Sequence, residues 1–137
     1  MARTTSVDKI RGITTDLAEK LKGQKILNSE QLLKAGSTPE DRRDLAKRLG
    51  ADPKALLELL NRADLDRVAG IGAAYSNLLE EAGVDTVKEL SKRVASNLHT
   101  KLIEVNNEKN ITTHPPTLTE VEGWIAEAKG LPALLVY

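Results

Sequence analysis

The feature that most constrains this chain is its punctuation. Thr38-Pro39 and Asp52-Pro53 each place a capping side chain before a proline at the first helical position. Beyond Asp52-Pro53, Leu56, Leu59, Leu60 and Ala63 recur at i, i+3, i+4, i+7, the spacing of one helix face. The segment after Thr38-Pro39 carries Leu45 and Leu49 and stops at Gly50. Further on, Tyr75, Leu78, Leu79 and Ala82 form a stripe that Gly83 ends, and Asp85-Thr86 opens a short helix holding Val87 and Leu90. Ser96 is expected to start a longer one with Leu98, Leu102 and Val105. Thr117 and Thr119 each have a glutamate three residues on, Glu120 and Glu122, the capping-box spacing ahead of Val121, Trp124, Ile125 and Ala128. No alternating strand pattern of useful length interrupts this, though the tail has room for one short strand. The expected class is all-α.

Composition fits small helices. Of 137 residues 40% are hydrophobic and 29% charged, the balance of a globular chain. The aromatics are Trp124, Tyr75 and Tyr137, with no Phe, so the core must come from Leu, Ile, Val and Ala. Lys plus Arg equals Asp plus Glu, 20 against 20, which argues against a strongly electrostatic binder of nucleic acid while leaving local patches. With no cysteine there is no disulfide framework, thiol chemistry or cysteine metal site. No apolar run reaches membrane-spanning length, and "MARTTSVDKIRG" lacks the apolar stretch of a secretory signal, so a cytoplasmic protein with no membrane partner is expected.

Catalytic chemistry finds little to work with. His99 and His114 are lone histidines without carboxylates at ligand spacing, so neither a metal nor a cofactor is expected. Acidic residues such as Glu58 and Glu80-Glu81 fall at solvent-facing positions, and there is no Ser/His/Asp arrangement or P-loop. The chain is expected not to be an enzyme.

Self-comparison organises the rest. Ile10-Arg-Gly-Ile13 aligns with Val68-Ala-Gly-Ile71 at a shift of 58, which also sets Leu17 on Tyr75, Leu21 on Leu79, Ile26 on Val84 and Leu32 on Leu90. Later the shift grows to 66, with Ala55 on Val121, Leu59 on Ile125 and Leu65 on Leu131. The extra length falls in the polar, proline-containing stretch 106–116, expected to be a loop. The expected fold is therefore a tandem pair of five-helix units, packed as one compact protein. Residues 1–62 form the first unit; residues 63–137 form the second, with the loop 106–116 and an apolar tail.

The second copy, "DLDRVAGIGAAYSNLLEEAGVDTVKEL", resembles a helix-hairpin-helix motif: an apolar residue, Gly-Ile-Gly, then an amphipathic helix. The whole chain, through "NLHTKLIEVNNEKN" and "VEGWIAEAKGLPALLVY", is similar to the uncharacterised bacterial family of domain of unknown function 4332, some members of which carry a flap-endonuclease-like label. The resemblance implies a SAM-like helical fold. A flap-type nuclease needs a dense acidic metal site in a large separate domain, for which this chain has no room.

The resemblance also implies a chemistry. DNA-binding members of the wider class grip the phosphate backbone without reading sequence. On that pattern Gly70 and Gly72 take positive φ and leave no Cβ, so that a phosphate oxygen can approach the amides around Gly70, Ile71, Gly72 and Ala73. The positive end of the following helix adds to the site, and Ile71 anchors the turn inward. The chain departs from the pattern where cations usually follow the second glycine: it has Ala73 and Ala74, and Arg67 is the nearest cation before the hairpin. The first copy keeps Gly12 but has Thr14 for the second glycine and Asp16 close by, with Lys9, Arg11, Lys20, Lys22 and Lys25 around it. The alternative for either hairpin is a plain structural turn, which the first copy, lacking the second glycine, favours.

Two functions from different classes follow. The first reading is a non-catalytic protein making weak, sequence-independent DNA backbone contacts through Gly70, Ile71, Gly72, Ala73 and Arg67, with Lys9, Arg11 and Lys22 at the first copy, as an accessory to a larger machine. The other is a protein-interaction or assembly module that has lost DNA affinity. The apolar tail, Leu131–Tyr137, is expected either to complete the core under Trp124 or to dock in a neighbouring subunit, giving a homo-oligomer.

Overall fold

A computed structural model describes residues 4–137. Among these residues there are eight α-helices, one 3-10 turn (Val7–Lys9) and no strand. Extended pairing is limited to an isolated antiparallel bridge between Ser6 and Asn28. The chain divides into two compact units. The first runs up to Arg67 and takes in Ala133–Tyr137; the second is Val68–Pro132.

In the first unit α1 (Thr15–Gly23), α2 (Ser29–Ala35), α3 (Pro39–Leu49) and α4 (Pro53–Leu65) follow the 3-10 turn. Each helix begins where a short polar side chain accepts an amide that the helix leaves without a partner. Thr14 accepts from Leu17 N, Asn28 from Gln31 N, Thr38 from Asp41 N and Asp52 from Lys54 N. Helix α4 packs on α2 and α3, and α1 on α3. Leu21, Leu32, Leu45, Leu56 and Leu60 are sealed in the core between them.

The second unit repeats that order with α5 (Ala73–Glu81), α6 (Val87–Ser91), α7 (Ala95–Lys109) and α8 (Leu118–Gly130). Helix α8 packs on α6 and α7, and α5 on α7. Ile71, Leu78, Leu79, Leu90, Leu102, Val121 and Trp124 are buried. Tyr75 tilts against Trp124 with ring centroids 5.2 Å apart. Thr86 caps α6, and Thr117 with Glu120 closes a full capping box on α8. Thr119, the other capping-box candidate, lies inside α8. Helix α7 starts one residue before Ser96, and its cap residue Val94 offers no side-chain bond.

Three expectations need correction. The five-helix order holds only in the first unit, where the 3-10 turn precedes α1–α4; among the described residues the second has four, because α4 runs up to its hairpin. The loop expected over 106–116 begins later, because α7 continues to Lys109 and Asn110 caps it in the left-handed region. Asn106 is a buried helical residue that binds the loop instead, accepting from Thr112 N at 2.9 Å and donating to Thr112 O at 3.0 Å.

The third correction concerns the tail, expected with residues 63–137 and under Trp124. It completes the first unit. Leu135 enters the first unit's core with Leu134 half-buried beside it. Val136 N donates to Ser37 O at 2.8 Å, and no strand forms. Among the described residues no helix is long and apolar enough to cross a membrane.

Candidate functional site

The two glycine hairpins share a backbone. Gly12 and Gly70 both have φ +85°, in the left-handed region where a Cβ is costly. One residue on, Ile71 N donates to Val68 O at 3.5 Å, as Ile13 N does to Ile10 O at 3.1 Å. Ile71 is fully buried, which anchors the second turn from inside. Gly72 differs from the expectation of positive φ: it has φ −85° and ψ −176°, ordinary extended backbone. A Cβ there would meet open space. What Gly72 withholds is a cap, since α5 begins without the side-chain bond that Thr14 supplies to α1.

Ala73 is exposed at the first position of α5, beside exposed Gly70 and Gly72. Arg67 is not a surface cation. It is 3% exposed, with its guanidinium 2.8 Å from Asp64 in an ion pair buried on both sides, so it cannot be the cation the hairpin was expected to use. At the first hairpin Lys9 and Lys22 are exposed and Arg11 half-buried. Lys22 is engaged with Asp8 at 2.7 Å, and Lys20 with Asp16 at 3.1 Å. A cavity of about 260 Å³ beside this hairpin is lined by Gly12, Thr14, Asp16, Lys20, Glu58 and Arg62, two acids facing two cations.

Sequence reasoning missed the residues that clasp the hairpins. Arg62 Nη1 donates to Arg11 O at 3.4 Å, and a Cβ on Gly12 would overlap that same nitrogen. At the second hairpin Ala69 N donates to Glu127 Oε2 at 2.7 Å. Arg62 and Glu127 are each the tenth residue of a 13-residue helix, α4 and α8, and Arg11 and Ala69 each precede the positive-φ glycine. The clasp is in the same place with opposite charge. The shift of 66 expected over these helices sets Arg62 on Ala128 and hides the pair; the buried faces correct it to 65, with Leu56 matching Val121, Leu60 matching Ile125 and Ala63 matching Ala128.

The surrounding charge runs the same way. The chain up to Arg67, with the tail, holds 14 Lys and Arg against 11 Asp and Glu, net +3. Val68–Pro132 holds 6 against 9, net −3. The zero total conceals this asymmetry.

The remaining singled-out groups have structural partners. His99 Nε2 lies 3.1 Å from Pro116 O, and His114 O accepts from the Tyr75 hydroxyl at 2.8 Å. Burial pushes the Tyr75 phenol above its ordinary pKa, and the nearby charge of Glu120 adds to the shift. Glu81, bonded to Lys109 at 2.6 Å, raises that ammonium likewise. Among the described residues no three His, Asp or Glu side chains stand together as a metal site.

No curated protein and no solved structure matches the chain. A family model does, over residues 11–131. The chain, two small helical units each turning on a positive-φ glycine, thus belongs to the family described as domain of unknown function DUF4332.

Proposed function

We propose that the chain is a non-catalytic, cytoplasmic protein-assembly module built on a duplicated helix-hairpin-helix frame. The duplication draws support from agreement in detail at the 58-residue shift. Helices α1 and α5 coincide end for end, and the caps Asn28 and Thr86 correspond. Ile26 N bonds Leu21 O at 2.9 Å and Val84 N bonds Leu79 O at 2.8 Å. Lys25 (φ 64°) takes the left-handed position that Gly83 (φ 92°) takes in the second unit.

The observation that carries the protein reading is the Glu127 clasp. A carboxylate already holds an amide of the one hairpin that has both glycines, on a unit of net charge −3. A phosphate brought there meets like charge with Arg67 locked inside, which costs affinity rather than adding it. Protein surfaces tolerate such charge when the partner complements it.

The DNA reading keeps one observation in its favour: α5 starts with no side-chain cap and with open space over Gly72. Its first amides and the helix dipole therefore face outward without a substituent in the way. A titration of fluorescent single- and double-stranded DNA at low salt separates the two. The assembly reading expects no binding, and none from Glu127→Gln. Binding of either strand form that falls steeply with salt, and tightens in Glu127→Gln, would return the hairpin to the phosphate backbone.

A further inference from the structure

The second hairpin carries a donor that the chain itself leaves unused. Trp124 is 4% exposed and packed against Tyr75, yet its indole N–H makes no hydrogen bond among the described residues. An indole N–H held this far inside a fold usually has a partner. This one faces Gly70, where a Cβ would come within 3.5 Å of Nε1, and the nitrogen is not sealed from solvent, so an acceptor can reach it from outside. Beside it α5 opens without a side-chain cap, and the amides of exposed Ala73 and Ala74 have no acceptor among the described residues.

An acceptor stands among these donors. Glu127 follows Trp124 by three residues on α8, the spacing of neighbours on one helix face. Its Oε2 holds the Ala69 amide at 2.7 Å, and its other oxygen makes no hydrogen bond or ion pair among the described residues. That mixture selects a ligand. An anion suits the N–H groups and the positive end of α5 but meets the Glu127 carboxylate. A cation suits Glu127 but meets the N–H groups. A neutral amide uses both, because it carries an acceptor and a donor of its own.

We propose that the second hairpin receives a main-chain peptide group of a partner protein, its carbonyl accepting from Trp124 Nε1–H and the first amides of α5, its N–H donating to the second oxygen of Glu127. The inference rests on the assembly reading and names what the partner presents, an uncharged stretch of main chain. Glycine at position 72 leaves that stretch room, since a side chain there would occupy the open space in front of α5.

Nitrogen-15 NMR on the full chain tests it, because Trp124 is the sole tryptophan and its indole N–H gives a signal of its own. The probes are N-acetylglycinamide, which carries neutral amides, and inorganic phosphate. N-acetylglycinamide should shift the Trp124 indole, Ala73 and Ala74 signals along one saturating curve, with a midpoint of roughly 10–100 mM for so small a ligand. Phosphate at matched ionic strength should leave them in place. Glu127→Gln can still hold the Ala69 amide but turns a donor toward the probe, and should raise the midpoint severalfold. Trp124→Phe keeps a ring against Tyr75 and should raise it likewise, read at Ala73 and Ala74. No shift with either probe overturns the proposal and leaves the assembly reading standing, whereas a preference for phosphate overturns both. A midpoint that folded Glu127→Gln leaves unmoved also overturns the proposal. Should a variant lose its helical circular dichroism, the wild-type titration with the two probes decides.

Discussion

The first hairpin is clasped by an arginine and the second by a glutamate, from the same position of the corresponding helix. Arg62 reaches the carbonyl before Gly12; Glu127 reaches the amide before Gly70. The residue before the glycine offers a donor on one side and an acceptor on the other, so either sign of side chain can tie it down. Backbone shape and surface charge are thus set by different residues. Glycine at φ +85° fixes the turn in both units, while the clasp is free to match a positive surround in one and a negative surround in the other. A hairpin motif by itself therefore says little about whether an anion will be welcome.

The likeness of the units is most exposed to failure in their cores. Leu21 and Leu79 are both completely buried, and truncating either to alanine should cost about 2–5 kcal/mol. Denaturant unfolding of the two variants checks this, and a large loss in one beside none in the other would end the equivalence. Next come the turns. Gly12→Ala and Gly70→Ala each force a side chain into the left-handed region, at about 1–3 kcal/mol. Gly12→Ala should lose more, because its Cβ overlaps the Arg62 guanidinium, whereas Gly70 has only Trp124 Nε1 at 3.5 Å. Thermal melts of the pair would show equal losses if the Arg62 contact were incidental.

The clasps themselves are worth less. Glu127→Ala removes a partly solvated charged acceptor and should cost about 1 kcal/mol, with faster hydrogen exchange at the Ala69 amide. Unchanged exchange at that amide would mean the carboxylate does not hold the hairpin. The caps give the smallest effect. Gly72→Thr should stabilise by a few tenths of a kcal/mol by giving α5 the cap α1 has, and Thr14→Gly should lose about as much. A loss on Gly72→Thr would show that the open space over Gly72 is needed for something besides capping.

The helical class was legible because caps and stripes are local. Thr38-Pro39, Asp52-Pro53 and Thr117 with Glu120 announce helix starts through bonds made within three residues. Ser96 misled because α7 starts at Ala95 behind Val94, a cap residue with no side-chain bond, and 106–116 misled because the polar run stays helical to Lys109, with Asn106 bonding forward to Thr112. The candidate site was less legible. Arg67 reads as a free cation until Asp64, three residues back, is buried with it. The clasps of Arg62 and Glu127 join residues 51 and 58 positions apart, and the tail bond between Arg42 and Val136 spans 94. No local pattern encodes those distances.

The first unit is discontinuous, and that sets an order of events during synthesis. Its core lacks Leu135 until every residue of Val68–Pro132 has been made. Domains generally fold as they leave the ribosome, the earlier one first. Here the earlier unit waits for its last contribution, while the later one is contiguous and can finish ahead of it. During that interval Arg42 lacks its Val136 partner, and the apolar place of Leu135 stands open on the nascent chain.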